Sequence, residues 1–431
     1  MRKNLKYVVV FLLGCLVIIS CSKKKETTNP LDFPYANETV DQGKANLQSS
    51  GEEMVTEMTK FESVDGLKVI SNFNDNLNAD DPTSTLKSSP LLAPATKSNK
   101  LTSKDMFGYL RAGLKESDDT TLQQEFDRYK GIYTWNIATK VWVKTTSTDK
   151  IEFDFPSTKT GTANNAKIVI TYTGIKGISI ITNYKGDMPA NFNTSLYVND
   201  SKIAEYDLTC AYNTDGTPSS VVYFAAIYPF KFQVSLTYNA TSASIKYSFT
   251  DDSKIIVECY AGVNGKLDKT SIENVQNNTS LNATDIVNNA NAYFQVMNIK
   301  LAGQIAYKGW YDDAMLIDGN LRYTSAQRDS ASAVAINKNM LLVLVYADTK
   351  QKIAQAEAYC DTRTYTWYDY YDNPYTETES YVDMRFVFAD KSKGNLEDYF
   401  STGFQNLVSD INALIIKLNG DFNGNIQPVV Y

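Results

Sequence analysis

The feature that most constrains the fold of this sequence is a hydrophobic period of two, which begins at Gly131 and runs through much of the chain. Apolar and polar side chains alternate in residues 151–155, 232–238 and 245–249. Successive side chains of a strand point to opposite faces, so the alternation predicts strands with one dry and one wet face. Antiparallel sheets tolerate a solvated face, whereas parallel sheets are covered on both.

Short turn-forming segments support hairpins between these strands. Segments rich in Asn, Asp or Gly separate the alternating runs at residues 136–139, 199–200, 214–216, 239–242 and 251–252. Such residues favour tight turns between antiparallel neighbours. No strand–helix–strand rhythm occurs between residues 131 and 262. We therefore predict an α+β fold with a largely antiparallel sheet, a meander with or without curvature, covered by long amphipathic helices.

Helical periodicity precedes and follows the predicted sheet. Apolar side chains repeat at helical spacing in residues 38–61 and 64–77, which predicts an N-terminal helical segment. We also predict helices at residues 285–291 and 325–338. The clearest helical pattern in the chain is at residues 396–418, where Asn395 is a suitable N-cap and Gly420 a suitable stop.

The sequence divides into five predicted regions. A signal peptide covers residues 1–20, a flexible tether 21–37, the helical segment 38–77, a Ser-, Thr- and Pro-rich linker or long loop 78–104, and a β-rich α+β domain 105–431.

The first two dozen residues indicate the cellular compartment. Arg2, Lys3 and Lys6 precede an apolar run at 7–19 that is shorter than the roughly 20 residues needed to cross a bilayer. The run ends in the sequence Ile18-Ile19-Ser20-Cys21, which resembles a bacterial lipoprotein signal. The resemblance implies cleavage before Cys21 and acylation of that residue, with palmitate or similar chains holding the protein in the cell envelope, on the outer membrane. Cys15 is a weaker alternative because it lies inside the apolar run.

Composition excludes several classes of function. The 431-residue chain carries a formal charge of −7, and loss of residues 1–20 would remove three cations and no acid, which gives −10. This acidity argues against nucleic acid as a partner. Histidine is absent, which removes the commonest general base and the commonest zinc ligand. We predict neither a catalytic residue nor a metal site, and no cofactor.

Three cysteines remain outside the signal region: Cys210, Cys259 and Cys360. Cys210 and Cys259 both belong to alternating apolar runs and are expected to face the core. An oxidising compartment permits one disulfide among three cysteines. The sequence leaves open whether Cys210 and Cys259 are bonded or are two buried free thiols.

The segment 359–381 is unusually rich in aromatic residues, and Asp372, Asn373 and Pro374 predict a turn within it. Its candidate contact residues are Tyr365, Trp367 and Tyr371 on one side, with Tyr368 and Tyr370 on the other. Three interpretations remain open. The segment is a hairpin with aromatic cross-strand pairs, a contact surface for an envelope protein, or a surface on which sugar rings stack.

Two short patterns concern modification. Asp119-Thr120-Thr121 and Asp329-Ser330-Ala331 resemble the acceptor pattern for O-glycosylation of exported proteins in Bacteroidota, which implies Thr120 and Ser330 as acceptors. The lipoprotein signal and the Tyr- and Thr-rich segments at 131–136 and 150–156 are together similar to uncharacterised exported lipoproteins of Bacteroidales. That resemblance implies no activity.

Three hypotheses about function follow. The first is a non-catalytic binding or structural lipoprotein of the cell envelope, whose partners are the membrane, through its N-terminal lipid, and an envelope protein or glycan. The second is a carrier of lipid or lipoprotein with an apolar cavity. The third is a glycan-acting hydrolase, which requires a cleft with two carboxyl groups about 5–10 Å apart. We favour the first, which is not an enzyme.

Overall fold

A computed structural model describes residues 32–76, 122–175, 188–277, 282–368 and 371–395, together with positions 399, 409, 412, 413 and 416. In these ranges the chain is an α+β protein built on one open, largely antiparallel meander sheet, as the sequence predicts. The predicted signal peptide and the predicted linker at 78–104 lie outside the described residues. Apart from the isolated positions, so does the predicted helix at 396–418.

The sheet contains sixteen described strands. In chain order they are β1 (Gly131–Asn136), β2 (Val141–Thr145), β3 (Ile151–Phe155), β4 (Ala166–Ile175), β5 (Met188–Val198), β6 (Ser201–Tyr212), β7 (Pro218–Ile227), β8 (Phe230–Asn239), β9 (Ser242–Asp251), β10 (Lys254–Gly265), β11 (Val287–Val296), β12 (Ile299–Ile305), β13 (Met340–Tyr346), β14 (Gln351–Tyr368), β15 (Pro374–Val387) and β16 (Lys393–Asn395).

From β3 to β16 each strand pairs with its neighbour in the sequence, and every one of these pairings is antiparallel. The order changes at one edge, where β1 lies between β3 and β2. The β1–β3 pairing is parallel, with Gly131 opposite Ile151. The long β14–β15 hairpin is therefore near the opposite edge, next to the short strand β16.

Six described α-helices accompany the sheet: α1 (Val40–Lys60), α2 (Asp65–Asn76), α3 (Leu122–Tyr129), α4 (Lys269–Asn277), α5 (Tyr307–Asp318) and α6 (Ser325–Asn339). The predictions of helices at 38–61, 64–77 and 325–338 are confirmed by α1, α2 and α6. The prediction of a helix at 285–291 is wrong, because β11 begins at Val287 and pairs with β10 and β12. Sheet pairing here outweighs a weak local helical pattern.

Helix α1 begins with a capping box. The Thr39 hydroxyl accepts a hydrogen bond from the backbone N–H of Gln42, whose side chain in turn accepts from the backbone N–H of Thr39. Gly43 is buried on the sheet-facing side of the helix. A Cβ atom at this position would lie 2.7 Å from the Tyr399 hydroxyl, so the close approach of helix and Tyr399 requires glycine.

The larger hydrophobic core lies between β1–β9 and helices α2 and α3. Phe73 of α2 packs against Phe153 and Phe155 of β3, with ring centroids 5.9 and 4.9 Å apart. Phe126 of α3 packs against Tyr172 of β4. The inward side chains of β3 are fully buried, whereas the residues between them are half-buried, which is the alternation that the sequence predicts.

A second core lies at the other end of the sheet, where Leu47 of α1 packs among residues of β12–β15. Residues that precede α1 contact the same strands. Tyr35 forms a parallel bridge with Lys352 at the start of β14, and the Ala36 N–H donates to the Lys352 carbonyl at 2.8 Å. The described end of the predicted tether thus lies against the first residues of β14.

Cys210, Cys259 and Cys360 are not joined in a disulfide. Cys210 is buried, and Cys259 and Cys360 are half-buried. Burial raises the pKa of the Cys210 thiol. Cys210 and Cys259 are therefore not bonded to each other, and of the two only Cys210 is buried as the sequence predicts.

Candidate binding surface at the tip of the hairpin

The β14–β15 hairpin is unusually long for its sheet. Its register runs from Gln355 opposite Val387 to Tyr368 opposite Pro374. Pro374, the first residue of β15, has no backbone N–H and so leaves no donor unpaired there. Asp372, in the turn, has a positive φ of 58°, which Asp tolerates better than most residues. Of the turn predicted at 372–374, Asp372 and Asn373 precede β15, whereas Pro374 is the first residue of that strand and lies opposite Tyr368.

The outer part of this hairpin extends beyond its neighbours. On one side, β13 pairs only with residues 351–355 of β14. On the other, β16 pairs only with residues 385–387 of β15. Asn337 of α6 exchanges two hydrogen bonds with the backbone of Ala358. Among the described residues, the stretch past residue 361 is a two-stranded ribbon with mostly exposed side chains.

Five exposed aromatic side chains end this ribbon, and we call them the aromatic tip. They are Tyr365, Trp367, Tyr368, Tyr371 and Tyr375, with exposed fractions of 39, 44, 64, 79 and 48%. Trp367 and Tyr375 form a cross-strand pair whose rings stack with centroids 4.8 Å apart. Tyr365 shares their face of the ribbon and Tyr368 belongs to the opposite face. Tyr371 lies in the turn.

The structure brings most of the predicted contact residues together. Tyr365 and Trp367 share a face, as predicted, and Tyr368 belongs to the other. The prediction that Tyr371 continues the face of Tyr365 is wrong, because β14 ends at Tyr368 and Tyr371 lies in the turn. Tyr370 lies outside the described residues, as do Cys21 and Thr120. Ser330 is an exposed residue of α6, and its neighbour Asp329 accepts a hydrogen bond from Ser380 of β15.

Two residues of this surface were missed by sequence reasoning, namely Tyr375 and Glu377. Both belong to β15, opposite Trp367 and Tyr365. The hairpin is centred on residue 371, whereas a turn centred on 372–374 would place Glu379 opposite Trp367, so the predicted turn could not identify these partners. The Tyr365 hydroxyl donates to Glu377 at 2.9 Å. This bond raises the pKa of Tyr365.

Charged residues continue along the same face toward the sheet. The Arg363 guanidinium forms an ion pair with Glu379 across the strands and lies over the Tyr381 ring. The Tyr381 hydroxyl donates to Asp361 at 3.2 Å. This face of the ribbon therefore combines aromatic and charged side chains.

At the base of the hairpin, Glu357 forms ion pairs with two basic side chains. Arg385 lies 3.2 Å and Lys393 3.1 Å from its carboxylate oxygens. The hydrogen bond from Arg385, followed by that from Lys393, lowers the pKa of Glu357. The Arg385 guanidinium also lies over the Tyr359 ring, 4.2 Å from its centroid. This paired cluster holds β14, β15 and β16 together.

The chain matches no family model, no curated protein and no solved structure. Its function must therefore be argued from its own residues.

A second polar cluster lies on β5 and β6. Glu205 accepts hydrogen bonds from Lys202 at 2.8 Å, Asn193 at 2.9 Å and Tyr228 at 2.9 Å. Burial alone would raise the pKa of Glu205, but these three bonds outweigh it and lower the pKa. Because the carboxylate is saturated by protein donors, the cluster serves the stability of the sheet.

A carboxyl pair lies between α1 and the β9–β10 turn. Hydrogen bonds from Lys254 at 2.6 Å and Lys60 at 2.5 Å lower the pKa of Glu57 to about 2. Burial, followed by the contact with Glu57, raises the pKa of Asp251. Glycosidases also use two carboxyl groups whose pKa values differ. Glu57, however, is only 5% exposed and forms ion pairs with two lysines. The cluster joins the helix to the sheet.

An open groove of about 460 Å³ lies between α4 and the ends of β7, β8 and β9. Leu236, Tyr238, Ala243 and Ile272 give it apolar walls. No group of His, Cys, Asp or Glu in the described part of the chain has the arrangement of a metal site. Among those residues, no helix is both long enough and apolar enough to cross a membrane.

Proposed function

We propose that this protein is a non-catalytic binding lipoprotein of the cell envelope, anchored to the outer membrane through acylated Cys21, which engages its partner with the aromatic tip. The observation that carries the proposal is the exposure of all five tip side chains, each at least 39%. Exposed aromatic clusters on a monomer are typical of interaction sites. Tyr and Trp contribute large contact areas there with little loss of conformational freedom.

The position of the tip relative to the N-terminus supports this role. Tyr35 bridges to Lys352 at the first residues of β14, and Trp367 is near the last. At about 3.3 Å per residue, the stretch from Lys352 to Trp367 spans roughly 50 Å. The described end of the predicted tether therefore lies near one end of β14, with the aromatic tip at the other.

The chemistry of the chain supports a binding role over a catalytic one. The sequence contains no histidine, and the carboxyl pair Glu57–Asp251 is committed to an ion cluster under α1. The two arginines of the hairpin, Arg363 and Arg385, form ion pairs with Glu379 and Glu357. These groups position the ribbon and present its aromatic residues.

Site-specific photocrosslinking of the full lipidated protein in cells of its source organism tests the proposal. A photoreactive phenylalanine at Tyr371, in the turn, should give a discrete adduct. The Trp367→Ala/Tyr375→Ala double variant should lose that adduct. The same probe at Lys159, an exposed position in the β3–β4 loop, is the matched control. Absence of an adduct at position 371, or the same adduct from position 159, would contradict the proposal.

The groove under α4 favours a second candidate function, that of a carrier. Its volume of about 460 Å³ lies within the range of roughly 300–1,000 Å³ typical of small-molecule pockets. One small apolar molecule would fit against Leu236 and Ile272. Binding of the fluorescent probe N-phenylnaphthylamine that is abolished by Ile272→Asp, and unaffected by Trp367→Ala, would support this candidate over the first.

A further inference from the structure

The aromatic tip has an excess of negative charge. Residues 361–381 contain five acidic residues, at Asp361, Asp369, Asp372, Glu377 and Glu379, against one basic residue, at Arg363. Asp369 lies outside the described residues. Glu379 forms an ion pair with the Arg363 guanidinium. Within the described residues, no lysine or arginine forms a salt bridge with Asp361, Asp372 or Glu377. The surface therefore offers uncompensated negative charge next to its aromatic rings.

One of these carboxylates lies beside the largest exposed ring of the tip. The pairs Tyr365–Glu377 and Trp367–Tyr375 follow each other on one face of the ribbon. Glu377 is therefore the diagonal neighbour of Trp367 across the hairpin. Such neighbours lie about 7–8 Å apart, which long side chains can span, so Glu377 is within reach of a cation bound at Trp367. Trp rings attract cations more strongly than Tyr or Phe rings do.

We infer that the aromatic tip binds a basic segment of a partner protein, with a lysine or arginine side chain held over Trp367 and its charge met by Glu377. This inference rests on the proposed function, because it names the partner class of the same surface. Charge complementarity supports this partner class. Aromatic faces beside carboxylates that have no Lys or Arg partner among the described residues favour a cation over a neutral sugar. The same charge disfavours an anionic lipid surface.

Peptide binding to the purified full-length protein in non-ionic detergent tests the inference. The probe is a fluorescein-labelled peptide of alternating Lys and Gly, compared with the same peptide acetylated on every lysine. The Lys peptide should bind, its affinity should fall as salt rises, and the acetylated peptide should not bind. Equal binding of the two peptides would overturn the inference.

Variants locate the binding. Trp367→Ala should weaken binding of the Lys peptide by about 2- to 30-fold, the range for exposed to desolvated cation–π contacts. Glu377→Gln should weaken it at low salt and leave it unchanged at high salt. Phe294→Ala, an exposed aromatic residue of β11, and Glu52→Gln, an exposed acid of α1, are matched controls and should bind as the wild type does. A loss equal to that of Trp367→Ala in either control would contradict the site.

The inference and the proposed function fail in different ways. Trp367-dependent binding of chitohexaose or of anionic vesicles, in place of the Lys peptide, would overturn the basic partner. In that case the crosslink at position 371 would still support the tip as a contact surface. Loss of both the crosslink and the peptide binding would overturn the two together. Trp367→Phe, which keeps an aromatic face, should retain part of the affinity and guards against misfolding of the alanine variant.

Discussion

Trp367 and Tyr375 stack across the β14–β15 hairpin with their ring planes at 18°, and about half of each side chain is in contact with water. Such a pair stabilises a fold by about 0.5–1.5 kcal/mol beyond the contribution of the area that it buries. This pair lies at the end of a ribbon. We predict that Trp367→Ala/Tyr375→Ala unfolds in denaturant at nearly the wild-type midpoint. Circular dichroism during urea titration measures this.

Phe153 provides the contrast for that experiment, because it is fully buried in the larger core. Phe153→Ala should lower the free energy of unfolding by about 3–5 kcal/mol. A loss of similar size in the tip variant would show that the aromatic pair is part of the core, and would remove the basis for a binding role.

The ion pairs of Glu57 with Lys254 and Lys60 make the stability of the fold depend on pH in the acid range. The pKa of Glu57 is lowered from 4.5 to about 2 in the folded protein by the bonds from Lys254 and Lys60. A lowered pKa stabilises the fold above the unfolded value, and this stabilisation is lost as pH falls from about 4.5 toward 2. We predict that Glu57→Gln is less stable than the wild type at neutral pH and that the difference narrows across this window. Glu52→Gln, an exposed acid on the same helix, should follow the wild-type profile in thermal unfolding.

Much of the fold could be predicted because local pattern and burial agree. In β3, Ile151, Phe153 and Phe155 alternate with Glu152 and Asp154, and the structure buries the first set completely. Side chains alternate between the two faces of a strand, so a shift of one residue in its pairing would move all of its apolar side chains to the solvated face. The register of such a strand is therefore strongly restricted. The residues at 285–291 show the opposite case, because pairing with β10 and β12 decides a segment whose local pattern is ambiguous.

The candidate site could be predicted only in part, because a contact surface depends on both strands of a hairpin. Trp367 and Tyr365 were visible as an aromatic run in one strand. Their partners Tyr375 and Glu377 follow from register, and register requires the turn to be placed to the residue. The length by which the hairpin extends beyond its neighbours depends on where β13 and β16 stop pairing with it. No local sequence pattern indicates those positions.

The contact between Gly43 and Tyr399 gives a further prediction. Alanine usually stabilises a helix interior by about 1 kcal/mol relative to glycine. At position 43, however, the added Cβ would lie 2.7 Å from the Tyr399 hydroxyl and 3.2 Å from Ile353. We predict that Gly43→Ala lowers the midpoint of thermal unfolding. In a Tyr399→Phe background, which lacks the hydroxyl, the same substitution should cost less. Additive effects in this double-mutant cycle would contradict the contact.

The three cysteines outside the signal region should carry no disulfide. Cys210 is buried and its thiol pKa is raised by that burial, so it should react slowly with alkylating reagents in the native state. We predict that Cys210, Cys259 and Cys360 are all alkylated after unfolding without reductant, as measured by peptide mass spectrometry. A Cys210–Cys259 peptide pair that appears only after reduction would revive the disulfide.

Membrane attachment should depend on Cys21. A single acyl chain gives only reversible binding to a bilayer, whereas several chains together give stable attachment, and each buried methylene contributes about 0.8 kcal/mol. We predict that Cys21→Ser moves the protein from the membrane to the soluble fraction, while the purified variant still binds the Lys peptide, because the aromatic tip lies at the far end of β14 from Tyr35. Cys15→Ser, at the weaker cleavage position, should stay in the membrane fraction and is the matched control. If Cys21→Ser remained membrane-bound, or if Cys15→Ser were the variant released, the anchor would have to lie elsewhere than Cys21.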